Sequence, residues 1–194
     1  MKKHLLFALL LLISVLGFAQ QPKKLKLSEM KFDFIMGHKI VDTTHVWCIL
    51  GMDFVTPHAS DNARNMLVTW MAKHKNADVI PVCAFGPPKN VAASPRLFIF
   101  CWIVDKKDTL NNYLVKNGCF PGGIMFAYDQ WEIRNKTAPK NTTLPEIYIY
   151  VAKKSYEDYK GQIIMNERFA HDNKLGLWSD KEYHKIKDIQ EPKK

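Results

Sequence analysis

Cysteines, histidines and a run of aromatic side chains carry most of the reactive and recognition chemistry in this sequence. Cys48, Cys83, Cys101 and Cys119 follow one another at spacings of 35, 18 and 18 residues. None of these makes the CxxC pair of a zinc site or a thiol redox centre. In an oxidising compartment four cysteines allow three disulfide pairings, and buried free thiols are the alternative. His38, His45 and His58 have the right donor type for a metal, but their lack of a fixed spacing is the pattern of scattered surface or core histidines. Between Phe120 and Val151, the aromatic residues Phe126, Tyr128, Trp131, Tyr148 and Tyr150 offer π-faces on which unpaired bases stack beside a basic groove. The same residues sit in strand-like runs and also suit the apolar face of a packed hairpin.

Charge narrows the partners for such chemistry. Lys2 and Lys3 precede an apolar run from Leu5 to Val15 and a small-residue exit at Gly17, Phe18 and Ala19, the build of a secretory signal. Residues 1–19 are therefore expected to be removed and the product to be periplasmic or secreted. Cleavage leaves 175 of the 194 residues, enough for one domain with a sizeable core. It also leaves 26 basic against 19 acidic residues, a balance of +7. That field favours nucleic acid, anionic glycans or anionic membrane surfaces, or serves solubility alone. Part of the excess lies at Lys23, Lys24 and Lys26 in the segment 20–30, and at Lys181, Lys185, Lys187, Lys193 and Lys194 in the segment 181–194, where solvated tails are expected. No cysteine follows the signal to carry a lipid. With 47% hydrophobic and 24% charged residues, and no second apolar stretch near the ~20 residues of a membrane span, the mature chain is expected to be folded, monomeric and without an integral membrane segment.

The elements that must position these groups follow from periodicity. Ala63, Met66, Leu67, Trp70 and Met71 recur as one face of a helix over Asp61–His74, with Ser60 as its cap. Lys31–Ile35 and Lys39–Val55 read as strands, the second bent at Gly51. Ala77–Phe85 and Leu97–Val104 read as an antiparallel pair with a long connection after Gly86, Pro87 and Pro88. A short helix from Asp108 or Thr109 stops at Gly118. Extended segments at Ile124–Ile133 and Ile147–Val151 suggest a second hairpin around Asn135–Pro145. A last helix starts at Ser155, whose S-x-x-D box with Asp158 caps it, and stops near Gly176. The order predicts an α+β domain with a mainly antiparallel sheet.

Two segments have a more specific pattern. One is Arg96-Leu-Phe-Ile-Phe-Cys-Trp102, then Asp105, then Thr109-Leu-Asn-Asn-Tyr-Leu-Val-Lys-Asn-Gly118; the other is Glu167, Ala170 and Lys174-Leu-Gly-Leu-Trp-Ser179. Together they resemble the strand, acidic turn and helix, and the closing helix end, of the staphylococcal-nuclease-like (thermonuclease) family. The resemblance covers residues 31–180 and implies a five-stranded OB-type β-barrel with three helices and an inserted hairpin at about 120–151. It further implies hydrolysis of DNA or RNA phosphodiester bonds with Ca²⁺, a carboxylate set and arginines that stabilise charge on phosphorus.

Residue by residue, Arg96 matches the second arginine of that family, a fork for phosphate oxygens. Cys48-Ile-Leu-Gly-Met-Asp53-Phe-Val-Thr-Pro57-His58 resembles its R-L-x-G-I-D-x-P-E run. Asp53 then falls on a metal ligand, Cys48 on the first arginine and His58 on the glutamate, where an imidazole could act as base. Asp33, or Asp42 with Thr43 and Thr44, stands in for the earlier acidic turn. The resemblance thus implies catalysis by Arg96 and His58, Ca²⁺ on Asp53 and Asp33, and phosphate on Arg96, with activity altered or impaired by the replacements; nucleic-acid bases are expected to stack on Tyr128 and Trp131. The alternative is a catalytically degenerate OB-type module that binds nucleic acid or a protein partner.

Overall fold

A computed structural model describes residues 24–52, 59–86, 96–123, 136 and 146–179. β1 (Leu25–Lys26) and a 3₁₀ turn (Leu27–Glu29) lead into β2 (Met30–Asp33), β3 (Met36–Lys39) and β4 (Asp42–Ile49). Then come α1 (Ala63–Lys73), β5 (Asp78–Gly86), β6 (Phe98–Asp105), β7 (Asp108–Thr109), α2 (Leu110–Lys116), β8 (Glu146–Ile149), α3 (Lys153–Asp172) and a closing 3₁₀ turn (Gly176–Ser179).

The strands form one sheet in the order β1-β5-β6-β4-β3-β2, with β7 beside β6 and β8 beside β5. Pairing is antiparallel except between β4 and β6, which run parallel from Val46↔Phe98 to Ile49↔Cys101. These two strands are covered on both faces, and Trp47–Leu50 and Ile99–Ile103 are accordingly unbroken apolar runs, all buried. A bulge between Pro81 and Cys83 accommodates the proline, which has no N–H for the ladder.

The two ends of the sheet path, β1 and β2, are chain neighbours. The turn between them is tied both ways: Leu27 donates to the Ala77 carbonyl at 2.8 Å, and the Glu29 carbonyl accepts from Ile40 at 2.9 Å. The sheet is therefore curled, an open half-barrel compatible with an OB-like fold. The three described helices pack on it through Leu67 and Trp70 of α1, Leu110 and Leu114 of α2, and Tyr156 and Ile163 of α3, all buried.

One buried polar side chain ties the helical layer to the sheet. Asn111 accepts from the Ile103 amide at 2.8 Å and donates to the carbonyls of Leu50 at 2.7 Å and Cys101 at 3.1 Å. It thereby satisfies backbone groups where β4 leaves its partner. At the far end of α2, Gly118 and Gly176 meet back to back. Both have positive φ, at 65° and 52°, and a Cβ on Gly118 would lie 1.9 Å from the Leu175 carbonyl oxygen.

Several expectations change in detail. Lys39–Val55 is not one strand: β3 turns at Ile40 and Val41 into β4. Those two β-branched residues read as strand formers, yet they sit exposed at the turn. Asn62, not Ser60, is the residue before α1, and no side chain caps it. α3 begins at Lys153, two residues before Ser155, because Ala152 is extended and the chain can turn helical immediately. The S-x-x-D box is thus inside the helix, where Asp158 pairs instead with Lys154 at 2.7 Å. Leu25 and Lys26, from the basic stretch before residue 31, pair with Val79 and Asp78 of β5. The segment expected as the first half of a second hairpin lies outside the described residues, whereas β8 pairs antiparallel with β5.

Candidate functional site

Pairing register locates each candidate. Asp33, Met36, Cys48, Phe100, Cys83 and Ile149 form one row across six strands. Arg96 lies four residues before Phe100, so it stands ~13 Å down the strand direction from that row. Asp53, His58, Tyr128 and Trp131 lie outside the described residues, as do Phe126 and residues 1–19.

Arg96 is exposed and lies two residues before the start of β6. Its neighbour Leu97 is fixed from the side of β4: the Leu97 amide donates to His45 Nδ1 at 3.3 Å, and its carbonyl accepts from the Val46 amide at 2.9 Å. The guanidinium therefore projects from a held backbone, as a phosphate contact requires. His45, one of the scattered histidines, here serves the corner backbone.

Asp33 ends β2, with its side chain 93% exposed and Oδ1 3.4 Å from Arg64 Nη1 of α1. The next residue, Phe34, has φ 64°, the left-handed region that costs a bulky residue strain. Two contacts hold it there: the Arg64 guanidinium lies 5.0 Å from its ring centre, and the Phe120 ring lies 5.5 Å away. The other acidic turn, at Asp42, is occupied locally. Its carboxylate accepts from the Thr44 hydroxyl at 2.6 Å and the Thr44 amide at 2.9 Å, which holds its pKa below the usual carboxylate value.

Ca²⁺ takes six to eight oxygen ligands, typically several from carboxylates. Asp33 brings one carboxylate, faced by a guanidinium, and among the described residues no three His, Cys, Asp or Glu side chains converge on a cation point. The described residues alone do not make a fit for that ion.

All four cysteines are free and buried. Burial pushes the thiols of Cys48 and Cys83 up to about 12, and that of Cys119 up to about 11. Cys101 rises for the same reason, with its Sγ donating to the Cys48 carbonyl at 3.2 Å. Register explains why the sheet thiols stay apart. Cys48 and Cys83 flank Phe100 in one row, two strand spacings or ~10 Å apart, beyond the reach of a disulfide. Position 48, where the family resemblance places an arginine, thus holds a neutral interior thiol.

The aromatic residues divide similarly. Tyr148 and Tyr150 stand with ring centres 6.5 Å apart and pack against the core, and burial raises the Tyr150 hydroxyl to about 12. Sequence reasoning missed one pair. His74, just after α1, hydrogen-bonds through Nδ1 to Asp105 Oδ2 at 2.9 Å, and its ring stacks on Trp70 at 4.1 Å. Such a carboxylate-oriented imidazole can move a proton, and here it also ties the end of α1 to the end of β6. The partners are 31 residues apart, so no local spacing links them.

No protein-family model and no curated protein matches the chain. The functional reading consequently rests on the residues and their geometry.

Proposed function

We infer that this is an exported protein of the staphylococcal-nuclease-like type, built on an OB-type barrel, that engages the phosphodiester backbone of DNA or RNA. Hydrolysis, in a form altered from the family pattern, is its expected activity. One observation carries the reading: Arg96 is exposed at the head of β6, on a backbone corner fixed by His45 and Val46. The connectivity supports it, with a three-stranded meander, a helix, a strand pair whose second member lies parallel to β4, and two further helices. The turn that joins the two ends of the sheet path supports closure into the five-stranded barrel.

Binding without cleavage is the second reading, and Cys48 favours it. A buried neutral thiol supplies neither the charge nor the paired donors of an arginine. A cleavage assay with single- and double-stranded substrates, in Ca²⁺ or chelator and beside Arg96→Ala, tests the activity. Chelator-sensitive cutting lost in the variant supports hydrolysis. Salt-sensitive binding without cutting supports the second reading. Absence of both, in folded protein, removes nucleic acid as the ligand.

A further inference from the structure

The surface between β2 and α1 adjoins Asp33 through Arg64 but takes no part in the Arg96 corner. Met30 and Phe32 share one face of β2, and Phe34 follows in the turn. Opposite them, Val68 and Met71 lie one turn apart on the outer side of α1. These residues wall an open groove of about 380 Å³, within the range of small-ligand sites. Gly37 makes room for one wall, because a Cβ there would stand 2.8 Å from the Phe32 ring. Val68 is 56% exposed, so an apolar strip remains in water at the groove's edge.

Each end of the groove has a cation. Arg64 is in the first turn of α1 and Lys75 lies two residues past its end, so the two stand about one helix length apart, ~16 Å for the 11 residues of α1. The two are not equivalent. Arg64 is held by the Phe34 ring and by Asp33, whereas the Lys75 ammonium pairs with no carboxylate among the described residues. The walls are hydrocarbon, thioether and phenyl, with one hydroxyl from Ser28. They offer almost nothing to the hydrogen-bonding edge of a nucleobase and suit an alkyl chain instead.

We propose that this groove binds a small amphipathic anion, a free carboxylate with a saturated chain of about ten carbons. The chain lies between β2 and α1, with its headgroup at Lys75 and its tail against Phe34. Binding here does not use the Arg96 corner.

Calorimetric titration of the full chain with decanoate, and in parallel with decanol, tests the assignment. Decanoate is expected to bind saturably with one site per chain. Lys75→Glu should weaken decanoate by about tenfold or more while leaving decanol within about twofold. Val68→Asp should abolish both, with the circular dichroism spectrum and melting temperature retained because the position is a solvent-exposed helix site. Three results overturn the proposal: no saturable decanoate binding, binding unchanged in folded Val68→Asp protein, or affinity only for phosphatidylglycerol vesicles and none for dispersed decanoate.

Discussion

The thiols of Cys48 and Cys83 are held neutral by burial, and this gives the protein an alkaline weakness with a definite sign. Both are raised to about 12 from an ordinary value of 9.0. In the unfolded chain they ionise near the ordinary value, so the stability they contribute is complete below pH 9 and is lost as the pH climbs toward about 12. The urea midpoint is expected to fall above about pH 9, and the Cys48→Ala/Cys83→Ala double variant should show a shallower fall. A fall of equal slope in both proteins would assign the effect to other groups. A second residue-scale expectation concerns oxidation state. Unfolding without reductant should expose four alkylatable thiols by mass spectrometry, whereas the native chain should resist the reagent. Asn111 is the most exposed to loss by substitution. Asn111→Ala leaves the Ile103 amide and the Leu50 carbonyl buried without their side-chain partner, and should cost about 3 kcal/mol in chemical denaturation.

At the scale of elements, the contact between the ends of α2 and α3 is the least tolerant. Gly118→Ala would place a methyl group against the Leu175 backbone, in a conformation with φ 65°. It should destabilise the protein by about 2 kcal/mol or more, read as a lower melting temperature, with Trp178 fluorescence shifting to the red as the closing turn detaches. Gly118 was legible as a helix stop, because a left-handed residue is what ends a helix, whereas α3 ends at Asp172 with Lys174 at φ 53° and Gly176 instead opens the closing 3₁₀ turn. The mutual contact of the two glycines was not legible, since nothing local to either position encodes a partner more than 50 residues away. The same distinction runs through the fold. α1 and the β5–β6 pair could be read from spacing, whereas the Ile40–Val41 turn was hidden by residues whose branching favours strands. Of the candidate site, the exposed place of Arg96 followed from its position just before a strand. His45 as the support of that corner, and His74 with Asp105, arise only when separate elements pack.

For the whole molecule, the bridge between the ends of the sheet makes the N-terminal segment structural. Leu27 is buried, β1 pairs with β5, and Lys26 contacts Asp78 at 2.6 Å. The last of these is an exposed pair worth little alone, so pairing and burial carry most of the effect. A chain that begins at Met30 should therefore melt at a lower temperature than one that begins at Gln20, and should expose the edge of β5 to strand pairing between molecules. Light scattering during the melt would detect that association. Among the described residues no helix is long and apolar enough to cross a membrane.

The parallel alignment of β4 with β6 and the pairing of β1 with β5 also impose an order in time. Lys26 meets a partner 52 residues later in the chain, and the partner of Val46 is as far ahead of it. A chain that emerges with its N-terminus first carries β1 without its partner until β5 has appeared, and β4, paired only with β3, with one open edge until β6 has appeared. Completion of the sheet must wait for Ile149, the end of β8, so the long-range pairings close only after most of the chain has emerged.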